Sequence, residues 1–255
     1  MKKAISILGP THSGKTDLAI NLNKFIPSEI ISVDSVQIYK QANIGSNKPK
    51  KVILKKVKHG LINILDIEEE FSVNLFLKSV SKELSSTSST PLFVGGSMMH
   101  FYSLFNGIST LPNTDKNLRK ELQREGERIG WDQMHKKLQK IDPKTALKIK
   151  QNDSQRIQRA LEINMQSTIL FSDLKKFKNK SLLEDYKKFT FAVIPRCRKS
   201  FRGELKERFI NMLEEGLVKE TESILKKSGN KKIKVLETVG SVSYTHLRAH
   251  ETEEN

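Results

Sequence analysis

Residues 9–16 read GPTHSGKT, which satisfies the pattern G-x-x-x-x-G-K-[ST] and leaves few folds open. Gly9 and Gly14 let successive backbone N–H groups converge on an anion. Lys15 brings a point charge, and Thr16 offers a hydroxyl to a magnesium ion. The flanks agree with that reading: Ala4-Ile5-Ser6-Ile7-Leu8 is a short apolar run rich in β-formers, and residues 17–22 have helical spacing. A loop between strand and helix aims the helix N-terminus at a phosphate. With Pro10, Thr11, His12 and Ser13 in the variable positions, the loop is expected to hold a diphosphate or triphosphate. The motif alone leaves the ligand open between these.

A chain of 255 residues suits one large α/β domain or a domain with a sizeable insertion. Hydrophobic residues make up 36% of it, lean but sufficient for a core, and no apolar run reaches membrane-spanning length. Strand-like sequence begins almost at Met1, so no signal or transit peptide is expected. A single cysteine, Cys197, excludes an internal disulfide and a cysteine-based zinc site, which favours a reducing cytoplasm. The net charge is +16, from 45 Lys and Arg against 29 Asp and Glu, and such a surface suits a polyanion such as nucleic acid. A lysine-rich proteome would give the same balance, so charge by itself leaves the partner open.

Along the chain, residues 29–33 read as a second strand ending in the polar cluster Asp34-Ser35-Val36-Gln37. Residues 61–65 form a third apolar run, 71–84 have helical periodicity, and 91–97 read as a buried strand entering a glycine turn followed by a helix through Leu104. Strands alternating with helices predict a parallel sheet with helices on both faces. From about Leu111 the pattern changes. Residues 117–129, 132–141, 143–150 and 154–165 all look helical, with no strand between them. Residues 189–194 return to the sheet, and 202–225 read as one long amphipathic helix. The expected organisation is a P-loop core over 1–110 and 181–240, with an all-α insertion over 111–180.

Three clusters carry chemistry. Asp34 lies at the carboxyl end of a strand, facing the same crevice as the phosphate loop. There it can ligate a metal, accept a proton from a nucleophile, or simply cap the turn that follows. Asp153 reads as a helix N-cap, and Arg156 and Arg159, three apart, share a face with Gln155 nearby, suited to a phosphate backbone and base edges. An ordinary solvated helix face has the same composition. Gly95-Gly96-Ser97 lets backbone approach a ligand and offers a hydroxyl.

Taken together, these pieces resemble the tRNA dimethylallyltransferase (tRNA isopentenyltransferase) family. The matching stretches are GPTHSGKT (9–16), ISVDSVQIYK (31–40), IGSNKP (44–49), HGLINILDIEEEFSV (59–73), PLFVGGSMMHFYSLFNGIS (91–109), DP (142–143), NDSQRIQRALE (152–162) and ERFINMLEEGLVKE (207–220). They follow the family's order and cover nearly the whole chain to Gly240. The resemblance implies an α/β, P-loop NTPase-like fold and a transfer reaction in the cytoplasm. A dimethylallyl group would move from dimethylallyl diphosphate to N6 of adenosine 37, next to the anticodon of tRNAs reading codons that begin with U. It implies that the loop over Gly9–Thr16 holds a prenyl diphosphate rather than ATP, with Ser13, Lys15 and Thr16 gripping it together with Mg²⁺ and Arg208 adding a cation. Asp34 would be general base or orienting acceptor for the adenine amine. Ser35, Val36 and Gln37 would contact the base, while Ser97, Arg119 and the stretch Gln155, Arg156, Ile157, Gln158 and Arg159 would position the RNA. The implied partners are the tRNA anticodon stem-loop and the prenyl donor, with the enzyme a monomer and no membrane involved.

This chain departs from the family pattern in three places. Ser97 stands where the family usually has Thr, and Gly60 where a second His is common, so His59 and His100 are expected to be structural. Beyond Gly240 the family continues with a Tyr-Arg-Gln-type motif and further helices. Here residues 241–252 read SVSYTHLRAHET, which matches the translation of a transposon-based sequencing adapter in every codon from Val242 to Thr252. Residues 241–255 are therefore expected to be a non-native tail on a fragment of impaired activity, and His246 and His250 are not expected to be a metal site. Two other classes compete: a P-loop kinase of a small molecule or nucleoside, which needs no basic helical insertion, and an RNA-binding NTPase module without prenyl transfer.

Overall fold

The computed structural model describes residues 1–109, 111–112, 114–174, 179–229 and 233–237; the adapter-like stretch 241–255 lies outside the described residues. In chain order the elements are β1 (Lys2–Leu8), α1 (Lys15–Asn23), β2 (Ser28–Val33), α2 (Lys51–Lys56), β3 (His59–Gly60), α3 (Val73–Ser86), β4 (Thr90–Gly95), α4 (Met98–Asn106), α5 (Lys116–Ile129), α6 (Trp131–Ile141), α7 (Pro143–Ala146), α8 (Ser154–Gln166), α9 (Phe171–Leu174), β5 (Tyr186–Ala192), α10 (Arg198–Glu214) and α11 (Leu217–Lys227). The chain divides into two compact units, residues 1–105 with 182–255, and residues 106–181. The sequence had set the insertion at 111–180.

The first unit is built on a parallel five-stranded sheet in the order β3-β2-β4-β1-β5. Its central strands are apolar on both faces because helices cover both. The period of two sorts their side chains into two cores. Ala4, Ile31, Val33 and Phe93 join Phe76 and Val80 of α3, Phe101 and Leu104 of α4 and Ile224 of α11. Ile5, Ile7, Ile30, Leu92 and Val94 pack with Ala19 of α1. Register then decides what emerges at the carboxyl edge. Leu8 pairs with Gly95 and Gly95 with Val33, so Gly9, Gly96 and Asp34 leave the sheet side by side.

The second unit is helical. Leu122, Met134, Leu138, Ala146, Ile157, Ala160 and Leu161 form its core. Aspartates start three of its helices: Asp115 accepts from the amides of Asn117 and Leu118, Asp142 from Thr145, and Asp153 from Arg156 at 3.2 Å.

One local expectation is corrected. Residues 202–225 do not form one helix: the chain breaks at Gly216, whose φ of 101° suits glycine, and the two helices α10 and α11 result. The third apolar run, 61–65, forms no regular element. Leu61 and Asn63 take left-handed φ values of 63° and 59°, and Leu65 is left with an isolated bridge to Tyr39.

A β-carbon on Gly95 would lie 2.0 Å from the Val33 carbonyl oxygen, whereas one on Gly203, inside α10, would meet open space. Gly95→Ala should therefore cost about 3 kcal/mol or more, since backbone must move to relieve the overlap. Gly203→Ala should stabilise by about 0.5–1 kcal/mol. Urea denaturation of both variants checks the opposite signs.

Candidate functional site

At the carboxyl edge, Gly9 leaves β1 under the backbone of Val193, with room for no β-carbon: one would lie 2.4 Å from the Val193 carbonyl oxygen. His12 takes a left-handed φ of 69° and Gly14 one of 80°, which turns the chain into α1. Pro10, Thr11, His12 and Gly14 are exposed, while Gly9, Ser13, Lys15 and Thr16 are half-buried. The Lys15 ammonium donates to the Pro10 carbonyl and stands 3.5 Å from Ser13 Oγ. Burial lowers its proton affinity, the Asp34 carboxylate opposes that, and Arg208 adds to it. Lys15, Asp34 and Arg208, from three separate stretches of sequence, thus share one electrostatic site. Arg208 is itself destabilised as a cation by burial, and its Nε has no hydrogen-bond partner among the described residues. A half-buried guanidinium in that state is ready to take an anion.

Asp34 does cap its turn, but with one oxygen. Oδ1 accepts from the amides of Val36 at 2.8 Å and Gln37 at 3.2 Å, which leaves Oδ2 outside the turn. Ser35 and Val36 are half-buried beside it. The Gln37 amide is already engaged: it accepts from Ser32 Oγ at 3.1 Å and donates to the carbonyls of Ser46 and Asn47. It therefore braces the loop rather than offering a free edge to a base. Ser97, half-buried, opens α4, its carbonyl accepting from His100 and Phe101. A β-carbon on Gly96 would come within 3.2 Å of the Gly9 carbonyl oxygen, so the glycine turn lies against the phosphate loop. His100 is buried between Phe71, stacked at 5.2 Å, and Phe76, edge-on at 4.7 Å. His59 bonds the Val57 carbonyl and is held below its ordinary pKa by burial.

In the helical unit the expected RNA face is only partly present. Arg119, Gln155 and Arg156 are exposed, and Arg156 makes a 3.2 Å pair with Asp153. Ile157 is corrected to the core, being fully buried, because the position one past Arg156 faces inward on this helix. Gln158 is likewise buried, its amide donating to the Arg119 carbonyl at 2.8 Å. Arg159 is turned inward too. One guanidinium nitrogen binds Glu162 at 2.8 Å and another the Pro112 carbonyl at 3.0 Å.

Sequence reasoning missed the residues that hold the Asp34 loop. Lys48 sits half-buried, donating to the Tyr39 carbonyl at 2.7 Å, Asn63 Oδ1 at 2.6 Å and Asn43 Oδ1 at 3.2 Å. Burial brings its pKa from 10.5 to about 8, with Glu220 opposing. Both residues lie inside stretches that carry the family resemblance, but no local spacing assigns either a partner.

Two predictions follow from these contacts. Below pH ~8 folded and unfolded chains both carry the Lys48 proton, and burying that charge costs stability; between about 8 and 10.5 only the unfolded chain holds it. Stability should therefore rise with pH across that window relative to Lys48→Met, as read by denaturation midpoints of the two proteins in parallel buffers. Arg159→Ala should destabilise the helical unit by about 3–5 kcal/mol, because it strands the fully buried Glu162 carboxylate. A thermal melt followed at Trp131 reads that loss.

Residues 37–254 match the family model described as IPP transferase. A tRNA dimethylallyltransferase of Methylobacillus flagellatus is 38% identical over 227 residues, covering 88% of this chain and 72% of that protein. One of Nitrosomonas eutropha is 40% identical over 225 residues, with 87% and 70% covered. Among solved structures, a eukaryotic dimethylallyltransferase acting on tRNA superposes with a TM-score of 0.80 at 25% identity, over 100% of this chain and 65% of that one. The full-length tRNA isopentenylpyrophosphate transferase of Bacillus halodurans gives 0.62 at 28% identity, over 98% and 78%. The P-loop sheet edge, the Asp34 turn and these matches agree, and the chain belongs to the IPP transferase family, among the tRNA dimethylallyltransferases.

Proposed function

We propose that this chain transfers a dimethylallyl group from dimethylallyl diphosphate to N6 of adenosine 37 in tRNAs that read codons beginning with U. The observation that carries the reading is a phosphate-loop lysine, Lys15, under the electrostatic influence of both Asp34 and Arg208 in a chain 38% to 40% identical to tRNA dimethylallyltransferases. The phosphate loop binds the diphosphate of the donor through its backbone amides and Lys15. As the adenine amine attacks C1 of the dimethylallyl group, the C1–O bond breaks and both electrons leave with the diphosphate. Lys15 and Arg208 neutralise the charge that grows there. The proton released from N6 passes to Asp34, whose Oδ2 lies outside the turn. The reacting base must leave its stack to reach this edge.

The donor set suits magnesium. The Thr16 hydroxyl, in the first turn of α1, would hold the ion, and among the described residues no group of three or more acidic, His or Cys side chains forms a full protein cage. Magnesium keeps most of its waters and takes phosphate oxygens, so one hydroxyl is an adequate anchor. Bound there, it would supply charge neutralisation to the departing diphosphate. Ser97, Arg119, Gln155 and Arg156 are the exposed or half-exposed groups offered to RNA, through phosphate contacts that set register. No described helix is long and apolar enough to cross a membrane. The reading is of a monomeric enzyme working in the cytoplasm.

Incubation with labelled dimethylallyl diphosphate, Mg²⁺ and an unmodified tRNA carrying A36-A37 tests the proposal. Label in the RNA is expected, and its absence with a folded chain overturns the reading. Asp34→Ala should lower kcat by about 10²-fold or more while leaving tRNA affinity within a few-fold, the usual scale for a positioned base. Equal losses in binding and turnover would assign Asp34 to the turn alone.

A further inference from the structure

The Asp34 loop is held from a distance. Between β2 and α2, residues 34–50 form turns with no helix or strand beyond the bridge at Tyr39, so the reacting carboxylate sits on a segment with little regular structure of its own. Asp66 and Glu215 reach side chains of that segment, at Lys40, Gln41 and Lys50, but among the described residues one carboxylate from outside it takes its backbone amides. Glu220, in the first turn of α11, accepts from the backbone amides of Asn43 at 2.9 Å and Ile44 at 3.0 Å on Oε2, and from Gly45 at 2.9 Å on Oε1. Three successive N–H groups converging on an anion make a nest, and charged acceptors give the shorter, stronger bonds. The clasp continues inward. Residues 46 and 47 offer their carbonyls to the Gln37 side chain at Nε2, and the Gln37 backbone N–H donates to Asp34 Oδ1.

We infer that Glu220 is a positioning residue for the transfer step: it clasps the 43–45 nest and through Gln37 fixes the Asp34 carboxylate. Glu220 touches no reacting atom in this scheme. Its helix follows α10, which carries Arg208, so one helical hairpin supplies the cation and holds the loop that carries the base. Orientation is worth much in such a site, because misplacing a catalytic group by about 1 Å can cost on the order of 10²-fold in rate. The inference rests on the transfer reading above.

The test compares the full chain with Glu220→Gln, which keeps the shape but loses the charge and turns an NH₂ group toward the nest. Lys50→Ala is the control, since it removes an exposed 3.8 Å pair with Glu215 that also ties this region to α10. Three readouts are taken: steady-state transfer to the anticodon stem-loop, affinity for inorganic diphosphate, and amide hydrogen exchange. Glu220→Gln should lower kcat by roughly tenfold or more with KM for the prenyl donor and diphosphate affinity unchanged. Exchange should speed up over residues 34–48 and not in β1, β4 or α1, and Lys50→Ala should match wild type throughout. Unchanged kcat in Glu220→Gln overturns the positioning role. So do parallel losses of diphosphate affinity and kcat, which mark general loosening, or unchanged exchange over 34–48. Absence of transfer by the wild-type chain overturns the transfer reading and this role with it, so the two failures are told apart.

Discussion

The parallel register that sets Leu8, Gly95 and Val33 in one row governs the rest of the first unit. It brings three strand ends to one level, so the phosphate loop, the glycine turn and Asp34 start from neighbouring points. Close backbone approach at Gly95 and Gly9 is what allows that level to be shared, since a β-carbon at either would overlap a neighbouring carbonyl. The two cores on the faces of the sheet supply the hydrophobic stabilisation that holds this crowded edge together.

Charge at this edge is arranged around a conflict. Two cations, Lys15 and Arg208, are half-buried and act on each other across the site, and burial works against both, with Asp34 easing only Lys15. A multiply charged anion resolves the conflict, whereas a neutral ligand would leave it in place. The Asp34 loop shows the complementary arrangement, an irregular segment held by charged side chains. Lys48, within it, caps the Tyr39 carbonyl, and Glu220, outside it, takes three of its amides, each at a backbone group that regular structure would have satisfied.

Legibility in the sequence followed range. The phosphate loop, the Asp34 strand end and the helical insertion could be read because each signal is local: a spacing of fixed residues, a run of β-formers, a helical period. The break at Gly216 was hidden because good helix formers continue on both sides of it, and the left-handed φ marks where the helix ends. The RNA face of α8 was half legible. Arg156 and Arg159 lie on one face by count, yet Arg159 folds back onto the buried Glu162 and Ile157 and Gln158 point inward. Glu220 could not be found at all, because it meets residues about 175 positions earlier in the chain.

The sequence by itself determined that this chain makes a P-loop and a parallel α/β sheet, and its motif order pointed to prenyl transfer onto tRNA. The loop and the sheet need only short-range stereochemistry, glycines where an anion must approach, β-branched runs beside them and N-caps at helix starts, whereas the transfer reaction came from the family resemblance. The tertiary structure alone decided which charged residues gather at the phosphate loop and which hold the scaffold. Arg208 acts electrostatically on the phosphate-loop lysine while Arg159 serves a buried glutamate, and Glu220 grips a backbone nest rather than solvent. The physical reason is that a charged side chain takes its role from its burial and its partners, and both are set by long-range packing that no spacing along the chain encodes.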